Sequence, residues 1–417
     1  MSLDPAAAGG AGGAGAPPAQ LPKDSPPGTP AARLALMQRA GGLVVPVVTA
    51  VFAFLIGIVV VAATGHDPFT AFKGIFEGAG LNWFWHLDTN TATNAAYNLS
   101  QTLLLTTTLI LTGLAVAFAF RCGMFNIGGQ GQYFVGLYVA NWIGVSWVNL
   151  ASPAHVALGL ALATAAGAIW AGIAGFLRAT VGAHEVITTI MLNWIAIWMG
   201  QYFFGQGGPL QGPAPSNPIS ADVVPGAQLP DFWGTPALQG LHIGFFIALA
   251  MLVVFWLILN RTTLGYEVRA VGFNPDAAAY GGIPVAKNYL RAMAISGAFA
   301  GLAGGLDMLG YMFRIDVLTI QASSVGFLGI AVALLGRNTA VGTGLAAFLF
   351  GALLFGTTHG LDPNVFDPEL ASNLTYIIQG MVVLFVGADV LILYVWNARR
   401  KLRRRPRATA PSAGAVT

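Results

Sequence analysis

The chain has 417 residues, of which 56% are hydrophobic and only 8% are charged, and its formal net charge is +3. An ordinary soluble domain has about 25% charged residues, so this composition excludes that class and indicates a polytopic α-helical membrane protein. The high pI does not indicate nucleic-acid binding, because it reflects basic residues clustered at positions 399–407. Cys122 is the single cysteine, which excludes an intrachain disulfide, and the scattered histidines lack the spacing of metal ligands.

Three regions follow from the composition along the chain. Residues 1–32 are rich in Ala, Gly and Pro and are predicted to be a disordered cytoplasmic tail. Residues 33–397 are predicted to form one transmembrane domain, and residues 398–417 a basic cytoplasmic tail.

About ten membrane segments are predicted within the transmembrane domain. They lie at residues 43–63, 99–120, 124–148, 153–177, 186–204, 241–260, 289–312, 323–335, 341–358 and 373–396. The segment 323–335 is short, so it is predicted to be a half-helix or a strongly broken helix.

The distribution of charge predicts the orientation. With both termini in the cytoplasm, all 19 basic residues except Lys73 and Arg314 lie on the cytoplasmic side. Residues 65–98 and 206–240 are then long external loops, which either receive a partner or are tolerated insertions. Residues 261–288 are the largest cytoplasmic loop.

Residues 121–140 carry amides and five glycines between two apolar runs. Such residues are tolerated at membrane depth only where protein or a watery cavity surrounds them. We therefore predict that polar residues here line a solute path, with hydrogen bonding between helices as the alternative. The candidates are Asn126, Gln130 and Gln132, with Asn193 from a later span, Gln321, Ser323 and Ser324 from the second half, and Phe125 for aromatic stacking.

The segments 126–140 and 321–335 are both interrupted by glycine and run in opposite directions across the predicted membrane. This pattern is typical of an inverted-topology repeat, in which such segments flank the binding path. The two segments are predicted to meet at mid-depth.

The cytoplasmic loop contains a predicted short helix. Asn274 is suited to cap it, Pro275 to occupy its first position and Asp276 to face the positive end of the helix dipole. Gly281 and Gly282 are predicted to end it. The surface residues Ala277, Ala278 and Ala279 suit insertion into a groove of another protein, whereas a helix lying on the membrane would need bulkier apolar residues.

Three motifs together resemble ABC importer permeases. GFNPDAAAYGGI resembles the cytoplasmic loop by which the ATPase subunit grips the channel. GMFNIGGQGQYFVG and HEVITTIMLNWIA resemble permeases of the branched-chain amino acid and simple-sugar type, and most of all their nucleoside branch. The resemblance covers residues 43–396. Related sequences often carry Glu where this chain has Gln130, and an amide where it has His184.

The resemblance implies a type II ABC importer fold in a bacterial plasma membrane. It also implies a second permease, typically a different chain, ABC ATPase subunits contacting residues 274–282, and an extracytoplasmic lipoprotein that binds the solute. No lysine lies in a phosphate-binding G-x-x-x-x-G-K-[ST] loop, so ATP and Mg²⁺ are expected on the partner and the chain is not expected to be an enzyme or to carry a cofactor.

The expected solute is a nucleoside, and the alternatives are a simple sugar or a branched-chain amino acid. A channel or secondary transporter is the alternative from a different class. The paired Asn-Pro-Ala loops of aquaporin-like channels are missing. A proton-coupled carrier would need acidic residues at mid-span, whereas Glu185, Asp307 and Asp389 are predicted to meet water or a basic headgroup neighbour at span ends.

Overall fold

The computed structural model describes residues 51, 54–85, 89–146, 150–214, 216–232 and 240–361, with isolated positions between 373 and 384. The predicted tails, part of the first predicted span and most of the last lie outside the described residues.

The described residues form an all-α structure, as the composition predicts. The helices are α1 (Phe54–Ala63), α2 (Pro68–Gly78), α3 (Thr89–Arg121), α4 (Gly129–Ser146), α5 (Ser152–Val181), α6 (Glu185–Phe204), α7 (Gly244–Arg261), α8 (Thr263–Phe273), α9 (Pro275–Tyr280), α10 (Val285–Asp307), α11 (Val317–Ala322), α12 (Val325–Leu335) and α13 (Ala340–Gly360). A π-helical turn, Met308–Met312, continues α10. Within the described ranges the only β-pairing consists of isolated bridges.

Seven helical stretches among the described residues are long and apolar enough to cross a membrane, so the chain is a multi-pass membrane protein. The predicted spans 153–177, 186–204, 241–260 and 341–358 correspond closely to α5, α6, α7 and α13. The predicted span 124–148 differs, because its helix begins only at Gly129. The short segment 323–335 proves to be the second part of a helix broken between α11 and α12. The count of ten spans and the inverted repeat stay predictions.

The helices form an inner and an outer layer. Most of the apolar part of α3 (83%) and of α10 (78%) is buried, against 22% for α7. The inner helix α4 is buried along almost its entire length. It lies close to α5 and α10 because these helices meet through glycines: a Cβ at Gly136 or Gly167 would overlap backbone of Gly301.

Polar contacts join several helices near their ends. The Arg121 guanidinium, at the end of α3, donates two hydrogen bonds of 2.9 and 2.7 Å to the carbonyl oxygen of Asn338 in the α12–α13 turn. The Glu267 carboxylate of α8 accepts a hydrogen bond from Asn288 at 3.1 Å and lies 3.6 Å from Arg291, both on α10. The sequence pattern does not predict α8, although Thr262 caps it by accepting a hydrogen bond from the Gly265 amide.

Candidate solute path and coupling surface

The polar segment after α3 does not continue as a helix. Gly123 takes a left-handed conformation (φ +74°), and the chain stays irregular up to Gly128. Asn126 organises this stretch. Its amide donates to Gln132 Oε1 at 2.9 Å and to Ser296 Oγ of α10 at 2.7 Å, and its Oδ1 accepts from the Gly128 amide at 2.9 Å. The irregular backbone is therefore fixed by side chains from α4 and α10.

Gln130 connects the two broken segments of the chain. Its Oε1 accepts a hydrogen bond from the Gly326 amide at the start of α12 at 2.6 Å, and its Nε2 donates to the Ser323 carbonyl oxygen at 3.0 Å. The N-cap residue of α12, Ser324, makes no capping hydrogen bond itself, so Gln130 supplies the missing acceptor from another helix. The two segments that the sequence pattern pairs are thus in direct contact.

Asn193 of α6 supports the same junction. Its Oδ1 accepts from the Gly131 amide at 2.7 Å, and its Nδ2 donates to the Ile127 carbonyl oxygen at 2.9 Å. Asn126, Gln130, Gln132 and Asn193 are each at most 2% exposed. Their amide groups make at least two hydrogen bonds each with protein atoms, which is the arrangement that the helix-tying alternative predicts.

The other predicted path residues are accessible. Gln321 and Ser324 are exposed and Ser323 is half-buried at the break between α11 and α12. Phe125 is half-buried and meets Phe120 edge-on, with 4.7 Å between ring centroids.

A small cavity lies beside α4. It is lined by residues that include Tyr133, Phe134, Met312 and Ser323, and its volume is about 10 Å³. Such a volume holds about one water molecule and is far smaller than a nucleoside.

The structure also brings together three polar residues that sequence reasoning did not combine. Asp307 is predicted to reach water at a span end, but its carboxylate accepts hydrogen bonds from Thr108 of α3 at 2.6 Å and from Tyr133 of α4 at 2.8 Å. Asp307 is half-buried rather than buried, so its access to water stays a prediction. The threonine run at 106–108 within an apolar span was the sequence signal for a polar partner.

The predicted cytoplasmic helix is present as α9. Asn274 Oδ1 accepts from the amides of Asp276 and Ala277, both at 3.0 Å, and Pro275 is the first helical residue. The helix ends where Gly281 caps it, and Gly282 takes a left-handed conformation (φ +81°). This local capping is what the sequence predicts.

The surface of α9 combines small and large apolar residues. Ala278 is buried, whereas Ala277 and Ala279 are exposed. Phe273 and Tyr280, at either end of α9, are 91% and 98% exposed. Two large exposed rings therefore flank α9 outside the apolar spans, a feature that the sequence pattern did not indicate.

Residues 98–387 match the family model described as branched-chain amino acid transport system / permease component, and the chain belongs to this family. It is similar to the guanosine ABC transporter permease protein NupP of Bacillus subtilis, with 35% identity over 88% of this chain and 99% of that protein. The nucleoside ABC transporter permease protein NupB of Lactococcus lactis is 31% identical over 84% of this chain and 92% of its own length. The glucose ABC transporter permease protein TsgB13 of Haloferax volcanii is 34% identical over 82% of this chain and 86% of its own length.

Bacillus subtilis also has a second guanosine permease protein, NupQ, which is 27% identical over 60% of this chain and 78% of its own length. Relatives of this chain therefore occur as two different permeases in one organism. No solved structure matches the chain.

Proposed function

We propose that this chain is one permease subunit of an ATP-driven importer and that its solute is a nucleoside. The similarity to the guanosine permease, which extends over 88% of this chain, carries the proposal. Two helices broken at polar residues and joined through Gln130 support a transport role, since broken helices commonly flank a binding path. The similarity to the glucose permease makes a sugar the second candidate. A branched-chain amino acid is the third.

The path is completed by a second, different permease. The cavity beside α4 holds about one water, so passage of a nucleoside requires a surface from another chain or an opening of the bundle. The exposed Gln321, Ser324 and half-buried Phe125 are the candidate solute contacts. The buried amides shape the breaks that form the path.

Helix α9 is the site at which an ATPase subunit docks. Its exposed alanines fit a groove, and Phe273 and Tyr280 supply apolar contact area. Motion of α9 reaches the bundle through α8, whose Glu267 bonds to Asn288 of α10. ATP and Mg²⁺ are held by that ATPase, and an extracytoplasmic lipoprotein delivers the solute.

The chain lies in a bacterial plasma membrane with both termini in the cytoplasm. Cys122 is buried, so single cysteines introduced at exposed positions report topology. Asp276→Cys should react with a membrane-impermeant thiol reagent only after the cells are opened, and Asp222→Cys should react in intact cells. The reverse pattern would show that the orientation is inverted.

The function is tested with the importer reconstituted in vesicles together with its ATPase, second permease and binding protein. We expect ATP-dependent uptake of labelled guanosine that unlabelled nucleosides suppress and that glucose and leucine leave unchanged. Uptake of glucose without nucleosides would establish the sugar alternative instead.

The docking site is tested by Ala279→Arg, which should abolish association with the ATPase because a charge enters the apolar surface. Val181→Arg, at the exposed cytoplasmic end of α5, is the matched control. Normal association of the Ala279 variant would contradict the docking assignment.

A further inference from the structure

Asp307 ends α10 with a side chain that lies between three helices of the inner layer. The Thr108 hydroxyl donates to Oδ1 at 2.6 Å, and the Tyr133 hydroxyl donates to Oδ2 at 2.8 Å. A carboxylate has about four acceptor positions. The two hydroxyls therefore leave about half of its capacity for hydrogen bonds unused.

No basic side chain among the described residues forms an ion pair with Asp307; the ion pairs found there involve other carboxylates. A carboxylate without a cation is costly within a membrane-spanning segment and normally faces a cavity or pathway. A tie between helices does not require this charge, since Asn126 and Gln132 join α4 to α10 with neutral amides.

Asp307 is partly accessible and has polar neighbours. Asp307 itself is half-buried, and Tyr311, in the π-helical turn that follows it, is 55% exposed. Tyr133 also lines the cavity that reaches Ser323 at the break before α12. Contact with lipid hydrocarbon would be unfavourable for these polar groups, whereas contact with a hydrated path would be favourable.

We infer that Asp307 accepts hydrogen bonds from the vicinal hydroxyls of the transported solute, and that Thr108 and Tyr133 are positioning residues for its carboxylate. The site lies at the end of the path next to residues 206–240, because the Leu229 amide of that loop bonds to Leu309 two residues beyond Asp307. The inference rests on the proposed function and specifies its substrate class: neutral solutes that carry a diol. A carboxylate selects such donors because an analogue without them leaves its acceptors unpaired.

The test uses the complete importer in vesicles. The binding protein is saturating, so that differences in uptake between variants reflect the permease. Labelled guanosine and 2′,3′-dideoxyguanosine are compared for wild type, Asp307→Asn and Asp222→Asn. Asp222 is exposed in the 206–240 loop and controls for the loss of one carboxylate. We expect Asp307→Asn to lower guanosine uptake about tenfold or more, and to lower uptake of the dideoxy analogue much less. Asp222→Asn should leave both unchanged.

Thr108→Val and Tyr133→Phe keep the carboxylate and test the inference if Asp307→Asn does not assemble. Each should weaken the preference for guanosine over the dideoxy analogue in importer that purifies with all its subunits, although the loss of a hydrogen bond to the carboxylate also lowers the melting temperature. Equal losses for the two solutes, or guanosine uptake by Asp307→Asn within twofold of wild type, would overturn the inference. Wild-type vesicles that import none of guanosine, glucose and leucine would instead overturn the proposed function.

Discussion

Asn126 and Gln132 exchange two hydrogen bonds, each 2.9 Å long, between their side-chain amides. The pair is buried at the point where the chain leaves its irregular segment and enters α4. Ser296 of α10 extends it by accepting from Asn126 and donating to the Ala115 carbonyl oxygen of α3. One polar network therefore joins the inner helices α3, α4 and α10. Replacing any of its side chains would leave the hydrogen-bonding groups of its partners unpaired.

Gln132→Glu tests this network. The carboxylate cannot donate to Asn126 Oδ1, so two oxygens face each other in a buried site. We expect the free energy of unfolding to fall by about 1–3 kcal/mol, as for a buried polar group that loses its partner. Thermal unfolding of the purified protein measures the change, and the exposed Gln206→Glu is the matched control. Equal melting temperatures for the two variants would show that the amide pair contributes little.

Substitutions of Gln130 test whether this residue caps α12, a helix in the other half of the chain. Gln130→Leu removes the acceptor for the Gly326 amide and should destabilise the protein by about 1–3 kcal/mol. Gln130→Glu loses the hydrogen bond to the Ser323 carbonyl oxygen but should still cost less than leucine, since a carboxylate can accept from the Gly326 amide and is favoured at a helix N-terminus. The order of melting temperatures, wild type above Glu above Leu, is the expected result. A glutamate variant as unstable as the leucine variant would contradict the capping role.

The sequence predicts those features whose causes are local. The start and end of α9 follow from Asn274, Pro275 and the glycines after it, because capping involves neighbouring residues. The apolar runs of α5, α6 and α7 are long enough to identify by length alone.

Long-range contacts explain what the sequence does not predict. Gln130 and Gly326 are 196 positions apart, and their hydrogen bond depends on how two helices pack. A polar residue at membrane depth can either line a solute path or tie two helices together. Its hydrogen-bond partners distinguish these roles, and they depend on helix packing that the sequence does not show. The contacts of Asp307 with Thr108 and Tyr133 are also not visible in the sequence, because the partners lie 199 and 174 positions away.

Glycine contacts within the bundle predict different outcomes at two positions of one helix. A Cβ at Gly167 of α5 would overlap the carbonyl oxygen of Gly297 in α10, whereas a Cβ at Gly172 would lie 3.9 Å from its nearest neighbour, a methyl of Leu290. Gly167→Ala should therefore destabilise the protein by about 1–3 kcal/mol. Gly172→Ala should be neutral or stabilise it by about 0.5–1 kcal/mol through the loss of backbone freedom in the unfolded chain. Thermal unfolding checks both; a reversed order would show that α5 and α10 are further apart than described.

The cap of α9 allows coupling to be separated from stability. Asn274→Ala removes the acceptor for two backbone amides and should weaken this short helix by about 1 kcal/mol. Because Ala278 is the one buried residue of α9, we expect reduced uptake per ATP hydrolysed and a melting temperature close to that of wild type. Asn274→Ser keeps a capping oxygen and should restore coupling. If alanine and serine behave alike, the cap is not required for coupling.

His242 makes stability depend on pH at the start of α7. Its ring packs against Gly310, and its Nδ1 accepts a hydrogen bond from the Gly244 amide at 3.1 Å. Burial lowers the pKa of His242 to about 4, compared with about 6.5 in an unfolded chain. The folded protein therefore binds fewer protons between these values, and the contribution of the neutral ring, complete above pH 6.5, is lost as the pH falls towards 4.

The expected loss across this window is about 3 kcal/mol at most, measured as the free energy of unfolding at several pH values. His242→Asn retains an acceptor for Gly244 but does not titrate, so its stability should decline less steeply over the same range. His184→Asn, at an exposed position, is the control for replacing a histidine and should follow the wild-type profile. A His242→Asn profile as steep as that of wild type would assign the pH dependence to other groups, among them Asp231, whose backbone forms a bridge with that of His242.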